Sequence, residues 1–410
     1  MAAIRGKHAK KPSLRALAVV VAVAVVVVGG VVAGLSMTKH GSVAKAAAPV
    51  AVGHAQTTTT STVPLTLSIQ PPDGAIGLPL DVKVAVTAST GHLMSVSVSS
   101  PDGKVIPGSV DATGLSWQST SGLAPKTKYT VTAKAAGLTG PPVEQSSAFT
   151  TLTPKTILST TVFPTQGLTV GIGEPIQLRF NHSVVNKAAV VAALQVTESV
   201  PVPGGWHWFS DKELHFRPQT YWPANEQVTL TANLQGVDAG NGVWAAASQT
   251  INFTVGNAQV STADVASHVM TVTSNGQVVK TMPLSAGRNQ YPTMNGVHIA
   301  LYRQQDVLMD SQTVGIPRDS PDGYYEHVFW DVAITDGGEF VHAAPWSTGA
   351  QGRSNVSHGC INLSVANATW FFGFSHVGDI IQVTGSPRAA SLTDHGTMDW
   401  NLPLDQWTAA

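Results

Sequence analysis

Cysteine is almost absent from this chain: its 410 residues contain one, Cys360. A single cysteine cannot form a disulfide within the chain, so no covalent cross-link stabilises the fold. A lone cysteine is usually a small buried hydrophobe. Cys360, however, lies in a segment rich in serine, histidine, glycine and asparagine. This setting favours a chemical role for the thiol.

Charge is also scarce, since Asp, Glu, Lys and Arg make up only 11% of the chain, with 23 basic against 24 acidic residues. Nucleic-acid binding requires a basic surface that neutralises phosphates, so we exclude that class. Long helical patterns are rare as well. Short runs that alternate apolar and polar residues between glycine and proline predict a mostly β protein.

One long uncharged run does occur, over residues 16–37, and it follows basic residues at Arg5, Lys7, Lys10, Lys11 and Arg15. Such a run can cross a hydrocarbon core of about 30 Å as a helix, and its basic flank favours a cytoplasmic N-terminus. We predict a single-pass anchor in the cell membrane with all later residues outside. Cleavage near Ala46–Ala48 is the alternative, and a buried core helix is less favoured. Residues 1–62 then form a basic tail, an anchor and a Thr-rich flexible tether.

A weak repeat follows the tether. The segment Ile76–Leu80 recurs as Ile172–Ile176, and each copy precedes an alternating strand. The spacing is close to the size of one immunoglobulin-like sandwich. Tyr129 follows a turn in the manner of the tyrosine corner of such sandwiches. We therefore predict two tandem Ig-like domains, over 63–153 and 154–256, that act as spacers, with sugar binding as the alternative.

The second predicted sandwich contains a turn with oxygen donors at Asp238, Asn241 and Gly242. A carboxylate, an amide and a main-chain carbonyl are ligands suited to Ca²⁺. An ordinary glycine-rich β-turn is the favoured alternative. Apart from this weak structural Ca²⁺ candidate, the sequence predicts no cofactor.

Residues 257–385 remain β-rich. Asn275-Gly276 between two alternating runs predicts a hairpin, and residues 366–374 predict one short helix capped by Ser364 or Asn367. The tail over 386–410 carries two tryptophans that are too apolar to remain in water, so we expect it to fold back.

The chemistry centres on Cys360 and two histidines, His358 and His342. Thiolate catalysis needs a partner that takes the thiol proton, since few thiols ionise at neutral pH. His358 is the nearer candidate, and a returning strand would bring His342 within reach. Gly359 allows consecutive amides to converge as an oxyanion hole. Zinc binding by these three side chains is an alternative, although their spacing fits no common zinc pattern.

The run Ser357-His358-Gly359-Cys360-Ile361-Asn362, with His342 upstream, resembles the signature of the bacterial L,D-transpeptidases with a YkuD catalytic fold, in their mycobacterial-type, multi-domain form. The resemblance implies that Cys360 is the nucleophile and His342 the base and acid. His358 and Gly359 would shape the oxyanion hole with the N–H of Cys360, while Ser357 and Asn362 would hold the site and the substrate. Ala343 departs from the family, where serine often follows the base.

The same resemblance implies further substrate contacts. Tyr324 would contact the ligand, Met309 would belong to a flap, and the mouth of the pocket would be formed by Gly337, Gly338 and Trp346.

The implied reaction joins peptidoglycan tetrapeptide stems by 3→3 cross-links, with release of D-alanine from a cysteine acyl-enzyme. Carbapenems would acylate the same thiol. A carboxypeptidase, in which water replaces the acceptor amine, is one alternative. A wall-binding protein with a decayed catalytic domain is another, and the intact His342, Cys360 and Asn362 speak against it.

Overall fold

A computed structural model describes residues 64–407. The predicted basic tail, anchor and tether over 1–62 lie outside the described residues. Within 64–407, no helix is long and apolar enough to cross a bilayer.

The first domain is a β-sandwich of two antiparallel sheets with the strand orders β1-β2-β5-β4 and β3-β6-β7. Its strands are β1 (Leu67–Gln70), β2 (Ala85–Ala88), β3 (His92–Ser99), β4 (Gly108–Val110), β5 (Ser116–Ser119), β6 (Lys128–Ala136) and β7 (Val143–Thr150). The buried ring of Tyr129 stacks on Phe149 with centroids 5.5 Å apart. Its hydroxyl accepts a 2.8 Å hydrogen bond from the amide of Ala124. The tyrosine corner predicted from sequence is thus confirmed.

A second sandwich follows, with sheets ordered β10-β18-β15-β12, β13-β14-β11-β9 and β16-β17-β8. Its elements are β8 (Thr156–Leu158), β9 (Thr160–Phe163), β10 (Thr169–Val170), β11 (Ile176–Phe180), α1 (Lys187–Ala192), β12 (Leu194–Glu198), β13 (Gly204–Ser210), β14 (Glu213–Pro218), β15 (Gln227–Ala232), β16 (Asp238–Gly240), β17 (Val243–Ala245) and β18 (Gln249–Val255). The short helix α1 has no counterpart among the elements expected from sequence.

The third domain contains two sheets, ordered β21-β20-β19-β27-β22 and β23-β24-β25-β26. Its elements are β19 (Gln259–Asp264), β20 (Val269–Ser274), β21 (Gln277–Pro283), β22 (Gly296–Ile299), β23 (Tyr302–Asp310), β24 (Tyr325–Ala333), β25 (Phe340–Ala343), β26 (Ile361–Leu363), α2 (Val365–Phe374) and β27 (Ile380–Thr384). The mostly β fold class, with two Ig-like sandwiches before a β-rich third domain, is confirmed.

Two local patterns of the third domain form as the sequence predicts. The hairpin between β20 and β21 turns at Asn275 and Gly276, whose φ angles are 49° and 79°, the left-handed pair that this turn requires. Helix α2 begins at Val365 because the side chain of Ser364 accepts a hydrogen bond from the amide of Asn367. Ser364, rather than Asn367, is therefore the cap.

The second copy of the repeated segment, Ile172–Ile176, lies at the contact between the second and third domains. The amides of Gly171 and Gly173 donate to the carbonyls of Val377 and Gly378, at 2.7 and 2.9 Å. A Cβ on Gly171 would lie 2.2 Å from the amide nitrogen of Asp379, a main-chain atom, so only glycine fits there. Ile380 and Ile299 of the third domain belong to the same buried apolar cluster as the core of the second sandwich.

The tail lies against both neighbouring domains and contains α3 (Met398–Asn401) and α4 (Leu404–Trp407). The indole N–H of Trp400 donates to the carbonyl of Gly173, and that of Trp407 to the carbonyl of Gly205, at 2.7 and 2.9 Å. Asn401 donates to and accepts from the main chain of Val297 on β22. The tail therefore connects the second sandwich to the third domain.

Candidate active site

A parallel strand pair places the candidate residues together. Strands β25 and β26 run side by side with His342 opposite Asn362. Cys360 lies two residues before Asn362, so all three side chains point to one face of the pair. A long loop, which contains a short 3₁₀ turn at Pro345–Ser347, connects the two strands. This crossover brings His342 and Cys360 to the lining of one cavity.

His342 is held in the tautomer that a general base needs. Its Nδ1 atom lies 2.9 Å from the carbonyl oxygen of Ala343. A carbonyl only accepts, so Nδ1 carries the proton and Nε2 keeps its lone pair. Burial lowers the pKa of His342 to about 4, and the ring is therefore neutral at neutral pH. Because the backbone carbonyl orients the ring, alanine at position 343 is compatible with this role.

Cys360 is partly exposed, and its Sγ lies 3.9 Å from the carbonyl oxygen of Gly338. Burial raises the pKa of the Cys360 thiol to about 12, and the charges of Glu339 and Asp331 act in the same direction. Main-chain hydrogen bonds at Phe340 and Cys360 itself oppose this rise. The resting thiol is therefore protonated, and a neutral imidazole stands on the same face.

The loop before the thiol is fixed by its own hydrogen bonds. The Ser357 hydroxyl donates to the carbonyl of Cys360 at 2.6 Å and accepts from the amide of Gly359 at 3.1 Å. Gly359 has a φ of 134°, a conformation that favours glycine. Its carbonyl accepts a 2.7 Å hydrogen bond from the hydroxyl of Thr293. The amide of Gly359 is thus engaged by Ser357, and the oxyanion hole at Gly359 and the amide of Cys360 stays a prediction.

His358 forms the wall of the site. Its Nε2 lies 2.9 Å from a guanidinium nitrogen of Arg288, which can only donate, so the lone pair of Nε2 is occupied. Burial, and then the charge of Arg288, lower the pKa of His358. Its ring packs against Tyr324 and Tyr291, with centroids 4.9 and 5.1 Å apart. His358 is therefore the poorer candidate for the base.

Two cavities meet at the thiol. The inner one, of about 250 Å³, contains most of the residues expected to hold substrate; its lining includes Met309, Tyr324, His342, Trp346, Ser357, His358, Cys360 and Asn362. The outer one, of about 330 Å³, is lined by residues that include Tyr291, Tyr324, Gly337, Gly338, His358, Cys360 and Arg388. Burial raises the pKa of Tyr324 to about 12, so its phenol is a neutral donor between the two cavities. Cys360 therefore borders both cavities.

Asn362 lines the same cavity as His342. Its amide nitrogen donates to the Ser347 hydroxyl at 3.2 Å. Its buried amide oxygen has no hydrogen-bond partner within residues 64–407. An unpartnered buried oxygen is costly unless a ligand or water satisfies it, so Asn362 is suited to receive a substrate donor.

Several supporting residues were missed from sequence because they lie far along the chain from Cys360. They are Arg288, Thr293, Asp322, Asp331, Glu339 and Arg388. Arg288 bonds Asp322, and Arg388 bonds the mostly buried Glu339. Among these residues, only Asp331 stood out in the sequence, because it is a charged residue inside the apolar run 327–334. It is fully buried, and burial raises its pKa to about 7.

Two metal sites were considered from the sequence, a zinc site at the thiol and a Ca²⁺ site in the second sandwich. Among residues 64–407, His342, His358 and Cys360 do not bring three ligand atoms together, so the zinc alternative is not supported. Asp238, Asn241 and Gly242 form the tight hairpin between β16 and β17, where the Asp238 carboxylate accepts from the amide of Gly240 at 2.8 Å. This is the geometry of the β-turn alternative.

Comparison with known proteins identifies the domains. Residues 75–238 match the bacterial Ig domain family, and residues 258–383 match the L,D-transpeptidase catalytic domain, YkuD. A bacterial Ig-like region thus precedes a transpeptidase-type catalytic domain.

Similarity extends over most of the chain. It is 39% identical over 337 residues to L,D-transpeptidase 2 of Mycobacterium tuberculosis (strain CDC 1551 / Oshkosh), covering 82% of each protein. It is 34% identical over 352 residues to L,D-transpeptidase 5 of M. tuberculosis (strain H37Rv), covering 84% of this chain and 76% of that protein. The solved structure of LD transpeptidase LdtMt1 in complex with imipenem matches with a TM-score of 0.50 and 35% identity, over 56% of this chain and 100% of that one. The chain belongs to the L,D-transpeptidase family.

Proposed function

We propose that this transpeptidase forms 3→3 cross-links between peptidoglycan stem peptides through a thioester on Cys360. The observation that carries the proposal is the position of Cys360 at the junction of two cavities, on the same strand-pair face as the neutral His342. A two-substrate acyl transfer needs a nucleophile that a donor and an acceptor can reach in turn.

In the first half-reaction, Nε2 of His342 takes the thiol proton while Sγ attacks the carbonyl of the third stem residue. The C–N bond to the terminal D-alanine breaks, and His342 returns the proton to the leaving amine. In the second half-reaction, the side-chain amine of an acceptor diaminopimelate attacks the thioester and gives its proton to His342. The C–S bond breaks, and His342 passes that proton to Sγ. The thiol is thereby restored, so one residue serves as base and then as acid.

The donors around the thiol support this assignment. Tyr324 presents a neutral phenol at the cavity that Cys360 also lines, and the buried amide oxygen of Asn362 has no hydrogen-bond partner within residues 64–407. These groups, with His358 and Ser357 as the wall, orient the donor stem. Met309 and Trp346 border the inner cavity, and Gly337 and Gly338 border the outer one. The reaction requires no cofactor.

The test uses a disaccharide tetrapeptide as donor and acceptor. Release of D-alanine should be abolished in Cys360→Ala, and unchanged release in that variant would rule the mechanism out. Product analysis separates the transpeptidase from the carboxypeptidase alternative, since the former gives a cross-linked dimer and the latter a monomeric tripeptide.

Carbapenem acylation follows from the same chemistry, and the relative LdtMt1 has been solved in complex with imipenem. Intact-mass spectrometry should show one carbapenem adduct per chain, lost in Cys360→Ala. Absence of any adduct on the unmodified chain would favour a wall-binding protein without catalytic function.

We also propose that residues 16–37 anchor the protein in the cell membrane with the catalytic domain facing the wall. The support is the uncharged run and its basic flank. Fractionation should recover the full chain with membranes, and mature protein beginning after Ala48 in the soluble fraction would favour cleavage instead.

A further inference from the structure

A cluster of metal-ligating side chains lies apart from the thiol, where the second sandwich, the third domain and the tail meet. Glu213 and His215 project from the same face of β14 in the second sandwich, and His395 approaches from the tail. One ligand atom from each lies within 4.8 Å of the others, and no other such group occurs in the described part of the chain. Nε2 of His215 lies 3.2 Å, and Nε2 of His395 lies 2.6 Å, from the same carboxylate oxygen, Oε1 of Glu213.

The opposite nitrogen of each ring faces a second carboxylate. Nδ1 of the fully buried His215 lies 2.9 Å from Asp399, and Nδ1 of His395 lies 2.8 Å from Asp336. An ionised carboxylate only accepts, so each Nδ1 carries a proton. A neutral ring would then point the lone pair of Nε2 at an oxygen of Glu213. The arrangement requires a positive charge between these three atoms, which either protons or a metal ion can supply.

We propose that Glu213, His215 and His395 bind one Zn²⁺ ion, which fastens the tail to the second sandwich. Two histidines and one glutamate are a known zinc ligand set, completed by water as the fourth ligand. Carboxylates that bind the far nitrogen of each histidine are the usual outer support of such ligands, and Asp399 and Asp336 occupy those positions.

The dimensions suit the ion once the side chains adjust. Metal–ligand distances near 2.1 Å in a tetrahedral site separate ligand atoms by about 3.4 Å. The His215–Glu213 contact of 3.2 Å is close to that value, and the two histidine nitrogens lie within 4.8 Å of each other. The His395–Glu213 contact of 2.6 Å has to open by roughly 0.8 Å, which the part-exposed side chain of His395 permits. A cavity of about 420 Å³, lined in part by Glu213 and His395, leaves room for the water ligand.

One other cation reaches the cluster. Nε and a terminal nitrogen of Arg179 both lie 3.2 Å from Oε1 of Glu213. The Arg179 side chain is more than half exposed. A carboxylate has two oxygens and about four lone pairs, so Glu213 can bind the ion and retain its ion pair with Arg179.

The ion would connect the tail to the active-site rim. Asp336 lies in the turn before β25, next to Gly337 of the outer cavity. The amides of Asp336 and Gly337 both donate to the carboxylate of Asp394, which precedes His395. Zinc at His395 would therefore also steady the turn that borders the outer cavity.

The test measures Zn²⁺ binding to the full chain carrying Cys360→Ser, so that the thiol cannot take the metal. After removal of metal by a chelator, competition with a chromophoric zinc indicator should give one site. His395→Gln should weaken that site at least ~100-fold, and Asp336→Asn by about 10-fold, as expected for an outer support. His182→Gln removes an exposed histidine of the same sandwich and should leave the affinity unchanged.

Two results would overturn the proposal: no binding at millimolar Zn²⁺, or equal affinity in the Cys360→Ser and Cys360→Ser/His395→Gln proteins. In either case protons supply the positive charge at the cluster. A further measurement needs no change at the cluster itself. Co²⁺ in the Cys360→Ser protein should give visible bands of a four-coordinate nitrogen–oxygen site, and the six-coordinate spectrum of hydrated Co²⁺ would contradict the site.

Discussion

At the residue scale, the thiol and the imidazole are both neutral before substrate binds. Burial raises the pKa of Cys360 to about 12 and lowers that of His342 to about 4. An ion pair between them would place two charges in a poorly hydrated site, which burial disfavours. In the proposed mechanism, proton transfer to His342 therefore accompanies attack on the substrate rather than preceding it.

This neutral pair predicts an unusual pH profile for carbapenem acylation. His342 is neutral above a pH of about 4 and Cys360 stays protonated below about 12, so the reactive form persists between those limits. The acylation rate constant should change little from pH 6 to 9 and fall as His342 gains its proton at acid pH. Stopped-flow measurement of acylation tests this profile.

The matched variant is His342→Gln, which cannot take the proton. Its acylation should be slower by about 10²–10⁴-fold at neutral pH and should rise roughly tenfold per pH unit with the thiolate fraction. If the unmodified enzyme shows that same rise, a free thiolate rather than the neutral pair is the nucleophile.

Thr293 supports the loop that carries the thiol. Its buried hydroxyl donates to the carbonyl of Gly359 at 2.7 Å and accepts from the amide of Gly287 at 2.8 Å. Thr293→Val leaves both partners buried and unpaired, which should cost about 1–3 kcal/mol of unfolding free energy. Urea unfolding measures this loss. Thr250→Val, at an exposed strand position, should change stability by less than about 0.5 kcal/mol.

At the element scale, helix α2 covers the strand pair that carries the site. Phe371 and Ala368 are buried in the same cluster as Val341 and Ile361 of β25 and β26. Loosening the helix therefore loosens the strands beneath His342 and Cys360.

Ser364→Ala removes the cap of α2 and should lower the unfolding free energy by about 1 kcal/mol. Ser364→Asp keeps an oxygen acceptor at the cap and should retain most of the stability. The two variants are compared by thermal unfolding. Equal losses in both would show that the hydroxyl has another role than capping.

Local patterns predicted the elements that depend on neighbouring residues. The Asn275-Gly276 hairpin and α2 follow from turn and capping chemistry within a few residues. The roles of Thr293 and Arg288 depend on packing between segments that are distant along the chain, which no local pattern encodes. For the same reason the sequence did not reveal that Ser357 would occupy the Gly359 amide.

At the scale of the whole molecule, Trp407 secures the tail. It is fully buried, stacks on His207 with centroids 4.9 Å apart, and lies under the guanidinium of Arg217 at 4.6 Å. Trp407→Ala should cost about 3–5 kcal/mol of unfolding free energy, measured by chemical unfolding.

Trp346→Ala is the matched control, since this tryptophan is 55% exposed at the inner cavity. It should leave the unfolding free energy nearly unchanged and slow acylation by substrate or carbapenem. A large loss of stability in Trp346→Ala together with none in Trp407→Ala would reverse the two assignments.

The domain order was predictable because repeated segments and strand alternation recur along the chain. The contact between the second and third domains was not predictable, because in the sequence Ile172-Gly173 is only part of a repeat. The structure shows that Gly378 and Ile380 contact this segment. In the first sandwich the corresponding Ile76 is 80% exposed. Sequence similarity between the two copies thus conceals a difference in what each copy touches.

The apolar cluster shared by the second sandwich with Ile299 and Ile380 has a hydrodynamic consequence. Separating the two domains would expose that cluster and break the main-chain bonds of Gly171 and Gly173. The second sandwich and the third domain therefore tumble as one particle with a single rotational correlation time. Cys360 therefore rotates with this larger body, and not with a catalytic domain that moves freely on a linker.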